Sequence, residues 1–290
     1  MDRNLPDNPP RDQQSFAGSA QAGRLCCGLL GVSLLLIAAA ANSVATAAVK
    51  KVPYPEVKVT VYAAYKPDAA FEKMRTAFAA AVAKQDVNAL SALVAPTFLW
   101  LVGGETADDL DLGRDAIHNF KVAFGFRAVG KDVDGGVKDG PYWASLGDFA
   151  ADQTYYVATD AGNRVCGPIA ADLADEDALE QAAKKIVSGN EGADWYFTIA
   201  PTDVAKAPGD SGPPVAKVGT IAMPVLSTYP ATKEGGAEVQ ATHMEVLLPS
   251  GKTGWVPAKA VRPLYADRLC YAKTPSGDWK IGALDQVAEE

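Results

Sequence analysis

The seventeen residues from Leu25 to Ala41 carry no charge and centre on Leu34-Leu35-Leu36-Ile37. No other feature constrains the chain as strongly, because a run this apolar must leave water for a core, a bilayer or an export pathway. The residues before it are polar, with Arg3, Arg11 and Arg24 set against Asp2, Asp7 and Asp12. Behind it, Ala45-Thr46-Ala47 fits the A-x-A pattern that signal peptidase reads. Residues 1–48 therefore read as a signal peptide cleaved near Ala47 or Ala48, which sends the product to the periplasm or outside the cell. A retained membrane anchor and a buried helix are the competing readings. Cys26 and Cys27 lead the apolar run, whereas a lipidated cysteine follows one, so a lipoprotein is set aside.

Export changes what the remaining cysteines mean. Cys166 and Cys270 are an even pair without metal-type spacing, and in an oxidising compartment such a pair reads as one structural disulfide. The rival is Cys166 as a nucleophile in the turn-like Cys166-Gly167-Pro168. That chemistry needs a neighbouring histidine, and neither His118 nor His243 sits in a recognisable motif.

Lys and Arg total 27 against 35 Asp and Glu, a net charge of −8. Such a chain has no electrostatic footprint for nucleic acid. The apolar fraction is 48%, enough for a globular core. No P-loop, G-x-G-x-x-G, H-E-x-x-H or G-x-S-x-G occurs. The acidic string Glu105, Asp108, Asp109 and Asp111 lacks the EF-hand spacing and reads as a solvated loop. No cofactor, metal site or catalytic residue is assigned.

Beyond the signal, Val57, Val59 and Val61 alternate as in a strand. Asp68 is an N-cap candidate for a helix with Phe71, Met74, Phe78 and Val82 on one stripe. Asp86 caps a second helix, Val87–Val94, and Phe98–Val102 is a short buried strand. Gly113–Phe124 is helical, and residues 128–141 form a Gly- and Asp-rich loop. Trp143, Leu146 and Phe149 make one helical face, and Tyr155–Val157 a short strand. Asp177–Val187 is an amphipathic helix that stops at Ser188-Gly189-Asn190-Glu191-Gly192. Past that breaker, short apolar runs between Gly, Pro and Asp clusters suggest a small β-barrel.

Glu245–Val256, with its turn Pro249-Ser250-Gly251-Lys252-Thr253 and Gly254-Trp255-Val256, resembles the closing hairpin of bacterial SH3-like (SH3b) domains. Val204–Val218, with Ala207-Pro208-Gly209-Asp210, resembles their opening segment. His243 stands where that family's hairpin has a tryptophan. The resemblance implies a groove beside Trp255 that takes a peptide or sugar, with His243, Tyr229 and Tyr265 on the same surface. Packing of Trp255 between hairpin and barrel is the alternative. The tail, Leu269–Lys273 and Gly277–Ile281, reads as one more hairpin.

Lys84–Leu90, Leu93–Pro96, Phe98–Trp100 and Gly113–Ile117 resemble the opening of NTF2-like (SnoaL-type) domains, which place a curved sheet over helices around a cone-shaped pocket. Trp100 and His118 would then be pocket residues; read alone, they are a core residue and a half-exposed polar one.

The expected fold class is α+β. It comprises a helical α+β part (53–165), a connecting helix (166–192) and an SH3-like barrel with a C-terminal hairpin (193–290). The expected function is a non-enzymatic envelope protein that binds cell-wall peptide or an envelope protein, the alternative being a pocket protein or enzyme built on the NTF2-like part.

Overall fold

Val57 and Val59 turn inward on β1 (Val57–Val61), and the chain then enters α1 (Ala69–Ala83) through Asp68, whose Oδ1 accepts the Phe71 N–H at 2.7 Å. The computed structural model describes residues 49–126, 142–159, 162–187, 194–230 and 240–288. The expected signal peptide, the 128–141 loop and the 188–192 breaker lie outside those residues. Asp86 caps α2 (Val87–Ser91), which is shorter than expected. The extended segment β2 (Val94–Val102) begins at Val94, two residues before Pro96, because the residue ahead of a proline is held out of the helical region. Next come β3 (Glu105–Thr106), α3 (Ala116–Ala123) with Asp115 as its cap, and α4 (Tyr142–Ala151).

Two short strands follow, β4 (Tyr156–Ala158) and β5 (Arg164–Gly167). After β6 (Ala171–Leu173), the amphipathic pattern becomes α5 (Glu176–Ile186), with Ala182 and Ile186 buried. The remaining strands are β7 (Trp195–Thr198), β8 (Thr202–Val204), β9 (Ala216–Val218), β10 (Ile221–Tyr229) and β11 (His243–Leu247). The chain ends through β12 (Thr253–Pro257), β13 (Val261–Pro263), β14 (Arg268–Lys273) and β15 (Trp279–Gln286). The class is α+β. Among the described residues no helix is long and apolar enough to cross a membrane.

The strands sort into a six-stranded sheet, β3-β2-β15-β14-β5-β4, and a seven-stranded one. In the first, β15 runs parallel to β2 and the other pairs are antiparallel. The C-terminal hairpin β14–β15 thus completes the sheet of the N-terminal part and, among the described residues, pairs with no strand between 171 and 263. The second sheet runs β12-β11-β10-β1-β6, with β7 paired to β10 and β13 to β7. Here β1 has left the helices that follow it and lies against β10.

The C-terminal strands do not close into the expected barrel. β8 and β9 form a separate two-stranded ladder, joined to β12 by the Ala205–Trp255 bridge and by packing of Val204 and Val218 with Val256. The connection between them carries Pro208, Pro213 and Pro214, which lack the N–H groups that a longer ladder would need.

Helices α1, α3 and α4 pack on the first sheet around Phe71, whose ring meets Tyr65, Tyr155, Tyr271 and Trp279 edge-on at centroid distances of 5.8, 4.9, 5.2 and 5.1 Å. Edge-to-face contact is the favourable arrangement for ring quadrupoles. Burial pushes the Tyr155 hydroxyl up to about 12, and pushes Tyr54 and Tyr271 above their ordinary value as well. Groups that resist ionisation when folded make stability fall once the unfolded chain can ionise, from about pH 10 upward. We expect unfolding between about pH 10 and 12, with a late step of tyrosinate absorbance at 295 nm that coincides with loss of near-UV dichroism. Smooth titration of every tyrosine near pH 10 in a folded protein would contradict this.

Candidate functional site

Register decides which side chains share a face, because residues directly opposite on antiparallel strands point the same way and the direction alternates along each strand. Tyr229 of β10 lies opposite His243 of β11, and His243 lies opposite Pro257 of β12. Two residues along, Ser227 pairs with Glu245 and Glu245 with Trp255. Tyr229, His243, Glu245 and Trp255 therefore occupy one face, while Val246 and Val256 fill the core on the other. The Ser227 hydroxyl donates to Glu245 Oε2 at 2.9 Å on the outer side. Tyr229 is 52% exposed and meets the Trp255 ring edge-on at 6.4 Å. Trp255 is half-buried, and its backbone makes the bridge to Ala205. His243 Nδ1 is 3.1 Å from the Thr242 hydroxyl.

Tyr265 is not on this face. It is 61% exposed and lines a separate cavity of about 330 Å³ with Tyr62, Arg268 and Asp285. The reason is topological: after β13 the chain turns back toward the first sheet, and Tyr265 sits in that return segment.

His243 also stands on the rim of a cleft of about 1000 Å³. One wall is the C-terminal half of α4 and the residues after it, with Asp148, Phe149 and Asp152. The other wall runs from Gln240 to Met244 and from Pro257 to Pro263, and includes Lys259 and Arg262. Arg262 Nε lies 2.7 Å from Asp152 Oδ2, an ion pair across the floor whose N–H is not aligned for a hydrogen bond. Both side chains are largely shielded from water. Arg262 Nη1 donates to the carbonyls of Lys259 and Val261 at 3.2 and 2.7 Å, which ties the guanidinium to its own turn. Sequence reading missed this pair, since 110 residues separate Asp152 from Arg262 and neither sits in a motif.

The other candidates are placed apart from the cleft. Trp100 is on β2, where its indole N–H donates to Gln286 Oε1 at 2.6 Å. His118 is half-buried near the start of α3. Neither lines the cleft or the cavity beside Tyr265, and Phe98, Phe120, Phe124, Leu146 and Phe149 pack together in the core between α3, α4 and the sheet. Cys166 and Cys270 are joined as a disulfide, both fully buried and directly opposite on β5 and β14. With its sulfur in that bond, Cys166 presents no thiolate. Asp111 is engaged locally, accepting from the Gly113 N–H at 2.8 Å and pairing with Arg114 at 3.8 Å. Comparison of the chain with protein-family models, with curated proteins and with solved structures gives no match.

Proposed function

We propose that this chain is an exported, non-enzymatic envelope protein whose C-terminal strands bind cell-wall peptide. The observation that carries this reading is the shared face of Tyr229, His243 and Trp255, because aromatic rings held side by side on a rigid sheet make a ready platform for a peptide or sugar. The β10–β11–β12 meander and its Gly251 turn, at φ +79°, support the SH3-like likeness of the hairpin. The disulfide fits an oxidising compartment, as an exported protein would meet. Helices over one face of the first sheet support the NTF2-like likeness as architecture. With its interior packed by aromatic rings, that part serves as the scaffold.

Residues 49–290 are expected to be retained on purified cell-wall sacculi, and Trp255→Ala to weaken retention at least tenfold, about 1.4 kcal/mol, with the near-UV dichroism otherwise unchanged. No retention of the parent would sink the wall-binding reading and move the face to a protein partner. Equal retention of parent and variant would remove Trp255 from the contact.

A further inference from the structure

The two rings of the C-terminal face converge over β11. Neighbouring strands lie about 4.8 Å apart, so side chains on β10 and β12 start from backbones about twice that distance from each other. The ring centroids of Tyr229 and Trp255 are nevertheless only 6.4 Å apart, at an interplanar angle of 86°. Both rings thus lean inward and make two walls of a corner, with β11 as its floor. Glu245 stands in that floor. It is directly opposite Trp255, which puts their Cβ atoms about 5 Å apart, and diagonal to Tyr229. Of the outward residues Ser227, Tyr229, His243, Glu245, Trp255 and Pro257, only Glu245 is a carboxylate. Its side chain is 22% exposed. Oε2 accepts from the Ser227 hydroxyl at 2.9 Å, whereas Oε1 accepts no hydrogen bond among the described residues. Lys51 Nζ lies 3.9 Å from Oε1, beyond hydrogen-bond range, and its side chain is 59% exposed. An ion pair so loose and so exposed to water contributes little and is readily exchanged for another ammonium.

We infer that this corner recognises a primary amine on a peptide side chain, with the ammonium on Glu245 Oε1 and the alkyl stem along the Trp255 and Tyr229 rings. The inference rests on the wall-binding reading for the source of the peptide, and names the group that is held. Two independent features select a cation. The faces of aromatic rings carry the negative part of their quadrupole, so two perpendicular rings attract an ammonium while covering its methylenes. The partly shielded carboxylate then gains a charge-assisted hydrogen bond, about twice as strong as one from a neutral amide or hydroxyl. An acidic group would meet Glu245 with like charge. Lys51 shows the same preference from within the chain, since its ammonium is drawn toward this carboxylate.

The test uses residues 49–290 in two assays. In one, the protein is titrated with acetyl-Ala-Lys-Ala-amide and with the same peptide acetylated at Nε. In the other, it is pulled down on sacculi before and after chemical N-acetylation. The free-amine form is expected to bind about tenfold more tightly in both. Glu245→Gln keeps an acceptor for Ser227 and is expected to abolish the preference. Lys51→Gln removes the competing ammonium and is expected to strengthen free-amine binding. Unchanged melting curves verify that both variants fold. Sacculi retained equally before and after acetylation would overturn the inference and leave the wall-binding reading standing. Discrimination between the peptides without retention on sacculi would do the reverse, and keep the corner as an ammonium site. An equal or absent response to the two peptides, or a preference that survives Glu245→Gln, would overturn the inference.

Discussion

A chain with Cys166 and Cys270 both replaced by alanine is expected to unfold about 4 kcal/mol more easily than the parent, with its guanidinium midpoint lowered accordingly. The bond separates residues 104 apart in sequence, and a loop of that length loses considerable freedom in the unfolded state when its ends are tied. In the native state Cys166 and Cys270 are directly opposite on neighbouring strands, so sheet pairing brings the two residues together. The closed loop has structural meaning too. β5 is where the chain leaves the first sheet and β14 is where it returns, so the disulfide fastens the base of the excursion from β6 to β13. Both sulfurs are buried among Tyr156, Ile169 and Ala283, and reductant should act on the folded protein only slowly. Coincident denaturation curves for parent and variant would show that sheet pairing alone fixes the excursion.

That excursion also explains which parts of the fold were legible in the sequence. Local signals read well: Asp68 and Asp86 each cap the helix whose start they mark. The turn at Gly251 joins β11 to β12 as its residues suggest, and a Cβ there would lie 2.8 Å from the backbone of Val52 and Pro53. The pairing of Cys166 with Cys270 was legible from parity and from the expectation of an oxidising compartment. Partner choice was not. A hairpin such as β14–β15 has the same alternation whichever sheet it joins, and nothing within residues 268–286 announces a parallel partner nearly two hundred residues earlier. The same holds for β1, legible as a strand from Val57 and Val59 but not as the neighbour of β10. The shared face of Tyr229, His243 and Trp255 follows from a local meander, so the hairpin resemblance could reach it. The cleft needs Asp152 and Arg262 to meet across the two sheets' elements, and Tyr265 departs because the chain is already turning back. Only three-dimensional pairing reveals either.

The second large effect is expected at that point of return. Arg268, the first residue of β14, donates from Nε to Asp285 Oδ2 at 3.1 Å and pairs with the same carboxylate through Nη2. Its Nη1 donates to the Tyr156 hydroxyl at 2.9 Å, and the Gly104 N–H reaches Asp285 Oδ1 at 3.3 Å. Asp285 is only 4% exposed. Burial works against the charge on Arg268, yet hydrogen bonds to Asp285 and Tyr156 hold its guanidinium more firmly protonated than usual. Removing one partner of such a pair leaves the other charge in a poorly solvated place. Arg268→Met should therefore cost about 3 to 5 kcal/mol, far above the value of a surface ion pair. Removing both charges relieves that penalty, so Arg268→Met with Asp285→Leu should recover most of the loss. A double-mutant cycle from urea denaturation measures the coupling directly, and about 2 kcal/mol or more is expected. If Arg268→Met alone costs under about 1 kcal/mol, water reaches Asp285 freely and the pair is a surface contact. A double variant as unstable as the single would instead mean that the Tyr156 and Gly104 hydrogen bonds, rather than the charges, hold β14 and β15 in register with the rest of the sheet.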